Sequence, residues 1–182
     1  MTPSPQPSAA ENVNLIPLCK GGKPIPGLFA KVDAADYPWL SKYRWYVLGR
    51  RQKKPYARTS FPIPGGAAVM YMHRWILGAE QPVDHINGDG LDNRRCNLRV
   101  ATLQKNNWNV PKRLTRSGKP ASSKFKGVYR PANSKKWWAK ITHDGKRQVL
   151  GQFDTEEEAA RVYNEAAARL FGEFAFMNVL SS

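Results

Sequence analysis

Apolar positions change their period twice along this chain, and each change marks a new part. Between residues 16 and 60, short apolar or aromatic runs alternate with Pro, Gly, Lys and Arg. Residues 30–33, 45–48 and 56–58 are predicted as short strands within it. Pro62 and Pro64-Gly65-Gly66 break that pattern. Residues 68–77 read as a short strand running into a helix, with Gly78 as its stop. Residues 83–86 read as a strand, 87–97 as a loop rich in Asn, Asp and Gly, and 98–100 as a second strand. Thr102 is a candidate N-cap for a helix over 103–109, ended by Pro111.

A different pattern follows residues 111–122, a basic Pro/Lys/Arg/Ser/Gly stretch read as a linker. Residues 126–130, 137–142 and 147–153 are predicted as three strands. Asp144-Gly145 is the hairpin turn between the last two, because Gly accepts positive φ. Thr155-Glu156-Glu157-Glu158 opens a helix as a capping box. Ala159, Tyr163, Ala166 and Leu170 then recur on one helical face, with Ala160, Ala167 and Phe171 beside them. Gly172 is its C-cap. There is no internal repeat. The fold class is α+β.

Charge sharpens this division. The net charge is +15. Residues 101–150 hold 13 Lys or Arg against one acid, Asp144, whereas residues 151–182 hold two against six acids. A basic block beside an acidic helix points to a polyanion-binding face. Cys19 and Cys96 stand far apart with no CxxC, which argues against a structural zinc site and a disulfide scaffold and suits a reducing compartment. Residues 1–14 read as a disordered leader. Their Pro/Ser-rich start has no apolar core of the signal-peptide kind. No apolar run approaches the roughly 18 residues of a membrane span.

The chemistry concentrates in Val83-Asp84-His85-Ile86-Asn87-Gly88-Asp89-Gly90-Leu91-Asp92-Asn93-Arg94-Arg95-Cys96-Asn97-Leu98-Arg99, followed by Asn106-Asn107. A hard cation takes oxygen ligands, and a water needs a base to become a nucleophile. This stretch offers both inside a basic protein, which points to metal-dependent phosphodiester cleavage. His73 is a second candidate base, more readily read as packing or bracing the site. His143 reads as surface. Arg94, Arg95 and Arg99 are candidate phosphate contacts, since guanidinium matches phosphate bidentately.

Asp84-His85, Asn97 and Asn106, with Asp92-Asn93-Arg94-Arg95 between, resemble the HNH nuclease family, and within it the phage and intron homing endonucleases. The resemblance covers residues 70–110. It implies a ββα-metal fold for a nuclease domain spanning 15–110, whose residues before 60 form an N-terminal β extension. It also implies that His85 is the general base and that Asn97 braces the loop. Asp84 and Asn106 would hold one ion per active site, Mg²⁺ or Mn²⁺, with Asn107 or Asn109 as alternatives to Asn106.

Lys126-Gly127-Val128-Tyr129-Arg130, Trp137-Trp138-Ala139-Lys140-Ile141 and Leu150-Gly151-Gln152-Phe153 resemble the AP2/ERF DNA-binding domain. So do Tyr163-Asn164-Glu165-Ala166-Ala167 and the closing Gly172-Glu173-Phe174-Ala175-Phe176-Met177-Asn178. This domain spans 123–179. Ala139 and Ile141 alternate with Trp138, Lys140 and Thr142, so one sheet face is small and apolar and the other polar and aromatic. Lys126, Tyr129, Arg130, Trp138, Lys140, Thr142 and Arg147 are the candidate DNA contacts. The plant members carry Arg where this chain has Tyr129, which leaves the base preference open. Trp137 reads as core.

The two resemblances together imply an enzyme acting on double-stranded DNA in the cytoplasm of a bacterial or phage-infected cell, with no membrane and no protein partner. The competing readings are a non-catalytic sequence-specific DNA-binding regulator and a single-stranded RNA binder.

Overall fold

The computed structural model describes residues 13–48, 54–116 and 119–180. Contacts divide the chain into two compact units, Met1–Thr102 and Leu103–Ser182. The architecture is α+β and mostly strands.

The first unit starts with β1 (Val13–Lys20) and β2 (Lys23–Asp33), followed by a short helix α1 (Tyr37–Leu40). β3 (Trp45–Leu48), β4 (Tyr56–Ile63) and β5 (Gly66–Tyr71) complete a sheet of order β2-β1-β3-β4-β5 among the described residues. Only β1 and β3 pair in parallel in it. Ile16 and Leu18 point inward from β1 and join Ala30, Val32, Leu40, Trp45, Ala57 and Met72 in the core. Trp45 is wholly buried and satisfies its indole by donating Nε1 to Leu40 O at 2.9 Å. A buried indole without such a partner would be costly.

Helix α2 (Met72–Leu77) follows β5 directly. Gly78 ends it at φ 59°, with its N–H donated to the Arg74 and Trp75 carbonyls, so the expected stop is present. The ladder β6 (Val83–His85) and β7 (Leu98–Val100) is antiparallel, pairing Asp84 with Arg99 and His85 with Leu98. Val83, Leu91 and Leu98 enter the same core as the large sheet. The ladder and its loop therefore rest on a rigid base.

Two sequence expectations change here. Val13 and Asn14 were expected in the leader, yet they begin β1. β2 is eleven residues long where a short strand over 30–33 was expected. Pro17, Pro24, Pro26 and Gly27 disguise these strands, but β2 is a sheet edge, where Pro is tolerated. The expected break narrows to Pro64-Gly65, the turn of the β4–β5 hairpin with Gly65 at φ 83°, while Pro62 and Gly66 are paired strand residues. The rest of the expected leader, residues 1–12, lies outside the described residues.

The second unit holds α3 (Leu103–Trp108), the short ladder β8 (Thr115–Arg116) with β9 (Lys119–Pro120), and a sheet of β10 (Val128–Tyr129), β11 (Trp137–His143) and β12 (Lys146–Phe153) in that order. The stretch expected as a linker thus carries a paired ladder, and residues 117–118 of it lie outside the described residues. Asp144 and Gly145 turn the β11–β12 hairpin at φ 49° and 74°. Helix α4 (Glu156–Phe171) is capped by Thr155 and Glu158, each side chain bonding the other's backbone N–H. Ala159, Ala160, Tyr163, Ala166, Ala167 and Phe171 bury its inner stripe against Val128, Ala139 and Ile141.

One glycine fixes that packing. Gly127 has φ 78°, and a Cβ there would overlap the Tyr163 ring and stand 2.7 Å from Lys140 O. Asn178 then stitches sheet to helix. Its amide exchanges bonds with Lys126 N (2.7 Å) and Lys126 O (3.0 Å), while its backbone exchanges two with the Asn164 side chain. No helix among the described residues is long and apolar enough to cross a membrane.

Candidate functional site

The loop between β6 and β7 is held at both ends by one amide. Asn97, buried, accepts from Asn87 N at 2.9 Å and donates Nδ2 to Asp92 O at 2.7 Å. Its own carbonyl accepts from Ile86 N at 2.9 Å. A short side chain thereby closes the segment that begins just after His85.

The loop is also tied to the strand beneath it. Lys31 N donates to Leu91 O and Asn93 N to Lys31 O, both at 2.8 Å, which docks the loop on β2. Asp33 accepts from Arg95 N at 2.7 Å. Gly90 lies so close to Tyr56 and the Pro55 carbonyl that a Cβ would be 2.8 Å from the Tyr56 ring. Only Gly permits that approach.

His85 is 4% exposed. Its Nε2 donates to Asn93 Oδ1 over a long 3.4 Å, and Asn93 is wholly buried. Burial pushes the imidazole below its ordinary value of 6.5, opposed by the Asn93 hydrogen bond and by the Asp84 and Asp89 charges. A base that stays neutral is ready to accept a proton. Asp84, its neighbour, is buried and faces a different partner. Arg99 forks its Oδ2 through Nε (3.0 Å) and Nη2 (2.7 Å) directly across the ladder.

Each of the three arginines expected at phosphate forks a carboxylate of the protein. Arg94 holds Asp92 at 2.8 and 2.6 Å, and Arg95 holds Asp36 at 2.8 Å through two nitrogens. Arg99 holds Asp84. Arg94 keeps the Asp92 carboxyl below the usual carboxylate range, with the Asn87 amide adding to it. Only the Arg95 side chain, 54% exposed, also offers a large solvent-facing surface.

Aromatic rings gather round the base. His73, from α2, stands edge-to-face with His85 at a ring separation of 5.0 Å. Tyr56 lies 5.7 Å from His85 and 5.5 Å from His73. Sequence reading gave His73 a bracing role, but nothing in the sequence singled out Tyr56 or Asn93. The Asp92-Asn93 pair inside the motif was the available signal for Asn93.

In the second unit, Asn106 lies on α3, and its Oδ1 is buried without a hydrogen-bond partner. Asn107 is exposed and Asn109 buried. No group of three or more His, Cys, Asp or Glu is placed to hold an ion among the described residues. A carboxylate and an unsatisfied amide oxygen nonetheless suit Mg²⁺, which keeps several waters and takes few protein ligands. Asp84 in the first unit and Asn106 in the second each carry an oxygen donor of the type such an ion takes.

The candidate DNA contacts divide into two groups. Lys126 Nζ donates to Trp108 O and Val110 O, both at 2.7 Å, and burial pushes its amine down to about 8. Half-buried, it ties down the end of α3. Arg130 stacks on Trp137 at 4.8 Å, and Lys140 sits 4.0 Å from the Tyr129 ring centre, beside Trp138. Thr142 and Arg147 are exposed. His143, expected at the surface, is partly covered by Trp108 and Phe171.

No family model matches the chain. It is 33% identical over 160 residues to an uncharacterised HNH endonuclease of Acanthamoeba polyphaga mimivirus, covering 84% of this chain and 75% of that protein. It is 26% identical over 132 residues to Protein 3.8 of Escherichia phage T7, covering 72% and 93% of the two chains. A third relative is the dehydration-responsive element-binding protein 2E of Oryza sativa subsp. japonica, 46% identical over 61 residues. That match covers 32% of this chain and 19% of the plant protein. With a buried histidine at the edge of a loop braced by Asn97, and a relative matched over most of both lengths, the chain belongs to the HNH endonuclease family.

Proposed function

We propose that this chain is a metal-dependent endonuclease that hydrolyses phosphodiester bonds in double-stranded DNA, brought to its target by an AP2/ERF-like C-terminal unit. The observation that carries this reading is His85. It is a buried imidazole held through Nε2 by Asn93, next to Asp84, at the edge of a loop closed by Asn97. With Nε2 as donor, Nδ1 carries the lone pair.

His85 takes a proton from water. The water oxygen bonds to phosphorus, the bond to the 3′ oxygen breaks, and that oxygen takes a proton from solvent water, leaving 5′-phosphate and 3′-hydroxyl ends. Asn97 keeps the loop, and with it His85, in register. Asp84 and Asn106 would hold Mg²⁺ or Mn²⁺. When bound, the ion supplies positive charge for the phosphate and the departing oxygen. Lys140, Arg147, Thr142 and the Tyr129–Trp138 pair offer the C-terminal sheet's cationic and stacking groups to duplex DNA.

One observation favours a second reading, a non-catalytic DNA-binding regulator. The Asp84 carboxylate already has Arg99 as a counter-ion. Plasmid cleavage decides between them. The full-length protein cuts with Mg²⁺ and stops on chelation, and His85→Ala abolishes cutting but keeps duplex binding. Cutting by His85→Ala at the wild-type rate removes His85 from its role. A Mg²⁺-independent footprint without cleavage favours the regulator.

A further inference from the structure

We propose that His73 is a positioning residue for His85, its ring forming a wall that fixes the orientation of the base. This role rests on the reading of His85 as the base. The rings stand 5.0 Å apart at 78°, and Tyr56 touches both. Tyr71, 5.6 Å from His73, closes the far side of the group.

An imidazole needs such walls. Its outer torsion is broad and roughly two-fold, so the backbone alone does not choose between ring orientations. The hydrogen bond to Asn93 spans 3.4 Å and is weak. Ring packing adds a further constraint. His73 is 8% exposed, and its Nδ1 is buried with no hydrogen-bond partner. What it does for its neighbour therefore passes through ring contact.

The support is rigid on both sides. His73 follows Met72 in the first turn of α2, and Met72 and Ile76 anchor that helix in the core. Tyr56 is pinned by the loop backbone at Gly90. The wall thus belongs to the sheet and helix, while the base it aims belongs to the end of β6. Misplacing a reacting group by about 1 Å can cost a hundredfold in rate.

The test compares His73→Ala, which removes the wall, with His73→Phe, which rebuilds a flat ring. A cleft of about 300 Å³ lined by Tyr56, Tyr71 and His73 gives the larger ring room. Long-range proton–nitrogen NMR of the metal-free, full-length protein reads the His85 tautomer, and single-turnover cleavage reads the rate. In His73→Ala the His85 pattern averages between tautomers, and cleavage slows roughly tenfold or more. KM for duplex stays unchanged. His73→Phe restores the single pattern and most of the rate. His73→Leu, which fills space without a ring face, takes the place of the Ala variant if that one does not fold. An unchanged His85 pattern in the Ala or Leu variant overturns the proposal, as does a Phe variant as slow as either. If His85→Ala still cuts, the base assignment falls, while the NMR pattern still reports whether His73 orients that ring.

Discussion

His73→Phe also makes the protein less sensitive to acid, and the size of that effect follows from burial. Desolvation, with the neighbouring His85 and Arg74 adding to it, lowers the His73 imidazole from 6.5 to about 3. Above pH 6.5 both folded and unfolded chains hold it neutral, so it contributes no pH dependence there. Below 6.5 the unfolded chain takes up a proton that the folded chain refuses. Stability therefore falls as pH drops from 6.5 towards 3. Each unit in that window costs about 1.4 kcal/mol, so acidifying from pH 7 to pH 5 removes about 2 kcal/mol through this residue alone. Phe cannot take the proton. Urea unfolding at the two pH values, followed for wild type and His73→Phe, should show the variant losing about 2 kcal/mol less. His85 is also held below its ordinary value and stays in both proteins, so the difference between the proteins isolates His73. Equal acid losses in wild type and variant would refute a neutral, buried His73.

Three further outcomes are expected. Asn97→Ala strips the acceptor from Asn87 N and the donor from Asp92 O in a buried setting. It should lower stability by about 2–4 kcal/mol in urea unfolding and slow cleavage with it. Gly127→Ala forces a positive φ on Ala and drives a Cβ into Tyr163, so it should cost about 3 kcal/mol or more, read as loss of the C-terminal unit's melting transition. Arg147→Ala should reduce the salt dependence of duplex binding by about one phosphate contact, whereas Lys126→Gln should leave that slope alone and destabilise the C-terminal unit, because its amine is spent on backbone carbonyls. Equal slopes for Arg147→Ala and wild type would remove Arg147 from the DNA-facing set.

Local chemistry was readable wherever one residue type answers a local need. Gly78 and Gly172 end helices, Thr155 and Glu158 cap one, and Asp144-Gly145 turns a hairpin. The inner stripe of α4 followed from its period. β1 and β2 were not readable as full strands. Pro and Gly interrupt them, and β1 exposes Leu15 to 48% while burying its neighbour Ile16. They pair with each other as a hairpin turned at Gly21-Gly22, both at positive φ, while the parallel partner β3 joins β1 from more distant sequence. The arginines of the motif have carboxylate partners that residue type alone does not name. Residue type says that guanidinium suits an anion, but not whether that anion is a phosphate or the protein's own carboxylate.

The sequence by itself determined the family motif, the division between a loop-bearing nuclease part and a basic sheet with an acidic helix, and the identity of His85 as the residue to test. These rest on composition, period and local spacing, which are written along the chain. Only the tertiary structure decided that Asp36, Asp84 and Asp92 occupy the arginines, that Lys126 caps α3, and that His73 and Tyr56 enclose the base. Asp92 and Arg94 meet within one loop, whereas the other contacts join residues distant in sequence or on different strands; in each, packing and desolvation choose the partner.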